Sequence, residues 1–171
     1  GSKSATTCGE DTVKYLLNLG VTSFSGWKVK DGVISWGEYH ADGVKEVKGV
    51  EFYANPVTNA TSTGTVNIYE ANPDSTIGNL LGSAPVTFPL VTLTYLEDAI
   101  RYANFSTPVA VNGPYILTFE GFAGADSFGL YGLGQGKAGG KNLSLINYQN
   151  TGWASAQTLG LDMAVLLQPI V

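Results

Sequence analysis

The chain has 171 residues, a length at which an all-β unit commonly remains one domain with a core of its own. Charged residues supply 13%, about half the usual share, and polarity comes instead from Ser, Thr, Asn and 22 glycines, a poor composition for helical surfaces. Its nine Lys and Arg leave a net charge of −5, and the densest pairs, Lys28/Lys30 and Lys45/Lys48, each sit beside an acid, Asp31 or Glu46. That excludes the clustered cations by which proteins hold nucleic acid or anionic membranes.

Gly1-Ser2 reads as a cloning scar, and residues 1–10 are expected to lead into a single domain over 11–171. Cys8 is the only cysteine, so no internal disulfide forms; it is either a harmless thiol or the partner of a cysteine elsewhere in a longer polypeptide. Asp11 to Leu19 places Val13, Leu16, Leu17 and Leu19 at helical spacing, but the stretch is short and strand or turn is expected. Trp27 falls in the strand-like run Val21–Val29 and is expected in the core. Asp31-Gly32 and Asp42-Gly43 are hairpin signals, because a type I′ turn needs positive φ at both central residues. Between them lie Trp36, Tyr39 and the only histidine, His40, expected as an exposed turn residue.

Period-two alternation then dominates, the mark of half-buried strands. Val50, Phe52 and Ala54 alternate with Glu51 and Tyr53, and Val66 and Ile68 with Thr65, Asn67 and Tyr69. Leu93 and Tyr95 alternate with Thr92 and Thr94, and Tyr115, Leu117 and Phe119 with Ile116, Thr118 and Glu120. Tyr95 to Tyr102 has some helical character, with strand or turn preferred. Asn55-Pro56, Asn72-Pro73-Asp74 and Asn112-Gly113-Pro114 break these runs. Gly121 to Gly140 is too rich in glycine for a central strand; it reads as an irregular loop or an edge strand around Phe128 to Leu133. Leu143 and Leu145 alternate with Ser144 and Ile146, and Leu161, Met163, Val165 and Leu167 with Asp162, Ala164 and Leu166. The final apolar run Leu166–Val171 suggests one module of a longer polypeptide, and no stretch approaches the roughly 18 apolar residues of a membrane span. Roughly nine or ten strands at this spacing predict an all-β fold, a two-sheet antiparallel β-sandwich of jelly-roll type.

Catalytic patterns are thin. Gly132-Leu133-Gly134-Gln135-Gly136-Lys137 lacks the Gly-Lys-Ser/Thr ending of a phosphate loop. One His and one Cys make no zinc set, so no metal site is expected. Calcium takes oxygen ligands from loops, but Asn72-Pro73-Asp74-Ser75 and Gly124-Ala125-Asp126-Ser127 offer one acid each, and no cofactor is expected. Glu120 and Asp162 are the acids that a small jelly-roll glycoside hydrolase would need facing one cleft. The aromatics point elsewhere. Sugar rings have apolar faces and hydroxyl rims, so stacked Trp or Tyr with nearby Asn makes a carbohydrate site. Trp36, Tyr39, Tyr131, Tyr148 and Trp153, with Asn147 and Asn150, lie in or beside turn or Gly-rich segments and form the expected ligand-binding set.

In order along the chain come Cys8-Gly9-Glu10-Asp11-Thr12-Val13-Lys14-Tyr15, Val47-Lys48-Gly49-Val50-Glu51-Phe52-Tyr53-Ala54, Val66-Asn67-Ile68-Tyr69-Glu70 and Leu80-Leu81-Gly82-Ser83. Ala103-Asn104-Phe105-Ser106-Thr107-Pro108-Val109-Ala110-Val111 follows, then Pro114-Tyr115-Ile116-Leu117, Gly152-Trp153, Asp162 and Pro169. By their order and spacing, over nearly its whole length, the chain resembles a recurring module of proteins exported by the type IX (Por) secretion system of Bacteroidetes. The resemblance implies a β-sandwich ectodomain in a larger extracellular, secreted or cell-surface protein, beside other sandwich domains, and it transfers no catalytic residue. The expectation is a non-catalytic binding or adhesion module whose partners are a polysaccharide or glycan surface and neighbouring domains of the same polypeptide, without nucleic acid or membrane insertion. A structural spacer is the alternative, and a small glycoside hydrolase a further one.

Overall fold

A computed structural model describes residues 24–28, 33–41, 46–57, 59–121, 128–133, 144–148 and 151–171. The strands are β1 Phe24–Lys28, β2 Val33–His40, β3 Glu46–Pro56, β4 Thr61–Ala71, β5 Ile77–Pro89 and β6 Ile100–Ala110. They continue with β7 Tyr115–Glu120, β8 Phe128–Leu133, β9 Ser144–Tyr148, β10 Trp153–Ser155, β11 Ala164–Val165 and β12 Leu167–Ile170. Short 3-10 turns cover Leu96–Ala99 and Gln157–Leu159. All pairings are antiparallel. One sheet runs β1-β8-β3-β12, with β6 on β3 and β11 on β8; the other runs β10-β9-β2-β7-β4-β5. The protein is an all-β sandwich.

Alternation explains the layering. Val50, Phe52 and Ala54 face inward from the first sheet, and Val66, Ile68, Tyr115, Leu117 and Phe119 from the second, all buried in one core. Phe52 meets Phe119 and Phe88 across the gap with ring centroids 5.4 and 6.0 Å apart, within the range of favourable aromatic pairs. Strand β3 of the first sheet is covered on its outer side too: Glu51, Tyr53 and Asn55 lie outward by register yet are buried. The 90–99 connection contributes to this, since Asn55 donates to the Val91 carbonyl at 2.9 Å and accepts from its N–H at 3.0 Å.

Several local expectations need correction. The alternation at 92–95 is not a strand; it leads into the Leu96–Ala99 turn, with Tyr95 exposed. Phe128–Leu133 is a strand but not an edge, because β1 and β3 flank it. Its glycines serve close approach: a Cβ on Gly132 would run into the Ala164 carbonyl of β11. Asp162 precedes β11 and does not lie within the last strand. Strands β1 and β2, and likewise β2 and β3, belong to different sheets and are not paired as hairpins, while Asp31-Gly32 and Asp42-Gly43 themselves lie outside the described residues. Residues 1–23, with Cys8 and the Asp11–Leu19 stretch, the 134–140 part of the glycine-rich segment and the Asp126 loop also lie outside them.

Candidate functional site on the outer face of the second sheet

The second sheet brings its outward side chains into rows. Trp153, Asn147, Ser35, Glu120 and Thr65 follow one another across β10, β9, β2, β7 and β4, and the next row holds Ser155, Leu145, Gly37, Thr118, Asn67 and Ser83. Tyr39, Ile116 and Tyr69 form a third. Gly37 sits at the centre, and the Trp153 ring and the Thr118 methyl both pack against it, each 3.4 Å from where a Cβ would stand.

Beside the indole lies a small cleft of about 100 Å³ bounded by Tyr39, Leu145, Trp153, Ser155 and the β4–β5 turn residues Asp74, Ser75 and Thr76. Two register shifts, at Ile68/Tyr69 and Tyr69/Ala71, kink the β4–β5 ladder just before this turn. The turn is fixed from within: Asp74 accepts from the Thr76 N–H at 3.1 Å and from its hydroxyl at 2.6 Å, and Ser75 takes a positive φ of 63°. Those bonds hold the Asp74 carboxyl below the usual carboxylate range.

The polar half of the face is a network centred on Glu120. Its Oε1 accepts from Asn67 Nδ2 at 3.0 Å, from the Tyr69 hydroxyl at 3.0 Å and from the Thr118 hydroxyl. Asn67 in turn accepts from the Ser83 hydroxyl at 2.6 Å. Burial first, and then the Glu120 charge and hydrogen bond, push the Tyr69 phenol up to about 12, so it stays a donor. Asn67 and Thr118 are themselves buried, so the face offers aromatic surface next to the half-buried Glu120 carboxylate and Tyr69 phenol, both held in place from below.

Of the residues expected to bind, Tyr39, Asn147 and Trp153 share this face, the first two half-buried on β2 and β9 and the third half-buried on β10. Asn147 carries a buried Oδ1 with no hydrogen-bond partner among the described residues. Trp36 is corrected: with odd-even parity opposite to Tyr39 it points inward between Phe119 and Ile146 and is 3% exposed, a core residue. Tyr131 lies on β8 of the other sheet, away from the rest. Tyr148 ends β9, exposed, and its carbonyl takes the Thr151 N–H and hydroxyl at 2.8 and 2.6 Å in the turn to β10. Asn150 lies outside the described residues. Gly37, Asn67, Tyr69, Thr118 and the 74–76 turn were not legible as site residues, because only the strand order places β2, β7 and β4 side by side.

A second polar group lies inside the sandwich. His40 is no exposed turn residue: its ring stacks on Tyr115 at 5.0 Å, and its Nε2–H donates to the Leu167 carbonyl at 2.9 Å, a carbonyl being able only to accept. Glu38 Oε2 accepts the Leu167 N–H at 2.8 Å, and its Oε1 lies 3.9 Å from His40 Nε2. Burial drives both toward their neutral forms, raising the Glu38 carboxyl well above its ordinary range and lowering the imidazole to about 4. Two side chains of one sheet thus satisfy both peptide groups of one residue in the other. Among the described residues no three His, Cys, Asp or Glu are grouped to hold a metal ion. Comparison with protein-family models, with curated proteins and with solved structures finds no match.

Proposed function

We propose that the chain is a non-catalytic extracellular binding module that takes carbohydrate on the outer face of the second sheet, within a larger secreted or cell-surface protein of the kind its sequence resembles. The observation that carries this reading is the juxtaposition of the Trp153 indole, seated over Gly37 and flanked by Tyr39, with the Glu120–Thr118–Asn67–Tyr69 network. An apolar ring face beside a few fixed polar groups is what a pyranose needs. Glu120 commits one oxygen to three protein donors, a role in shaping the face rather than in protonating a leaving group.

The test is affinity electrophoresis of the chain through gels containing soluble polysaccharides, with Trp153→Ala and Tyr39→Ala alongside. Retardation of the parent by at least one polysaccharide, lost in both variants, is the expected result; a parent that no glycan retards, on gels or on an array, ends the reading. The competing role as a structural spacer is favoured by the burial of Trp36 and of Glu51 and Tyr53 on the other sheet. It predicts that result, together with unchanged solubility of Trp153→Ala.

A further inference from the structure

The charge on the binding face narrows the ligand further, and this step rests on the carbohydrate reading above. The six strands of the second sheet contain no Lys or Arg, while Glu120 of β7 is an acid on its outer side. The turn that walls the cleft adds Asp74, exposed beside the space bounded by Tyr39 and Trp153. A carboxylate offers only acceptors. Its natural counterpart is a hydroxyl or ammonium donor, and a second carboxylate or a sulfate brought against it is repelled while both lose water.

We propose that the Trp153–Tyr39 cleft is selective for glycans free of carboxylate and sulfate groups, with Asp74 receiving a sugar hydroxyl or the ammonium of an amino sugar. Neutral chains meet stacking surface and acceptors. Amino sugars add a charge-assisted bond, which is shorter and stronger than a neutral one. Uronate and sulfated chains meet the Asp74 carboxylate and no cation from the strands of the sheet.

The experiment compares a neutral β-glucan, a partly deacetylated chitin oligosaccharide, polygalacturonate and heparin as ligands for the whole chain, by calorimetry at low and moderate salt. Variants are Asp74→Asn, Glu120→Gln and, as a control, Glu97→Gln, an equal charge change on the exposed turn before β6 of the other sheet. Expected are binding of the neutral or amino glycan and none of the two polyanions. Asp74→Asn should lower the ratio of amino-glycan to neutral-glycan affinity by at least about fivefold, and Glu97→Gln should leave it unchanged. Asn keeps the oxygen that caps Thr76, so the turn is retained.

Polyanion binding as tight as neutral binding overturns the selectivity while leaving the carbohydrate site standing. A ratio that moves equally in Glu97→Gln assigns the effect to net charge and also overturns it. Binding of no glycan at all removes the carbohydrate reading and the selectivity with it.

Discussion

Glu38 and Glu120 stand on adjacent strands of one sheet and do opposite work. Glu38 faces inward from β2, 3% exposed, and spends its carboxyl on the backbone of Leu167 in the facing sheet. Glu120 faces outward from β7 and holds Asn67, Tyr69 and Thr118 in one hydrogen-bonded network. The same side chain fastens two layers in one place and orders an outer face in the other. Pleat parity and strand neighbours decide which. Inside, a polar group must be matched to particular partners or it costs stability; outside, the same chemistry is free to meet a ligand.

Breaking the inner group should have the largest effect. Glu38→Ala leaves the Leu167 N–H without its acceptor and removes the neighbour of a buried imidazole, with an expected loss of about 1–3 kcal/mol in urea unfolding. A loss below about 1 kcal/mol would show that Glu38 does not fasten the sheets.

Acid should act on the same group next. The unfolded chain protonates His40 near 6.5, whereas the folded imidazole resists until about 4, so protons favour unfolding across that window. His40 thus costs stability as the pH falls from about 6.5 to 4. Glu38 works the other way: its raised folded pKa gives a contribution fully present below about 4.5 and lost as the pH climbs through the folded value. Glu38→Gln removes this opposition and should expose a decline of roughly 3 kcal/mol between pH 6.5 and 4, steeper than in the parent. Unfolding curves at several pH values test it, and parallel profiles in the two proteins would contradict it.

The outer face should be cheaper to alter. Trp153→Ala removes a half-buried indole from a three-residue strand and is expected to cost about 1–2 kcal/mol of stability while weakening glycan binding at least about tenfold. Glu120→Gln, at the small end, keeps Oε1 as an acceptor and loses only charge assistance, for a change below about 1 kcal/mol in the same unfolding measurement.

The inward residues of β3, β4 and β7 were legible because alternation at 50–54, 66–68 and 115–119 matches the pleat. Met163, Val165 and Leu167 shared an inward parity for the same reason. Where both faces are covered the signal weakens. Ile116 and Thr118 lie on the outward side yet are buried, and at β9 it is Ile146 that enters the core while Leu145 lines the cleft. β5 escaped notice because Gly82, Pro85 and Pro89 interrupt its thirteen residues, although it pairs with β4 along its length. The site was half visible: Tyr39, Asn147 and Trp153 stood out as residue types, but their meeting with Thr118, Asn67 and Glu120 depends on β9, β2, β7 and β4 being neighbours, which is long-range information. Trp36 misled because an aromatic next to a glycine reads as a turn, whereas Gly37 is a mid-strand seat for another tryptophan.

The two tryptophans across that glycine allow the most direct test. In a ¹H–¹⁵N spectrum, a bound neutral glycan should move the indole cross-peak of Trp153, identified by its loss in Trp153→Phe, and leave that of Trp36 in place. A ligand that binds while the Trp153 signal stays still would put the site somewhere else on the molecule.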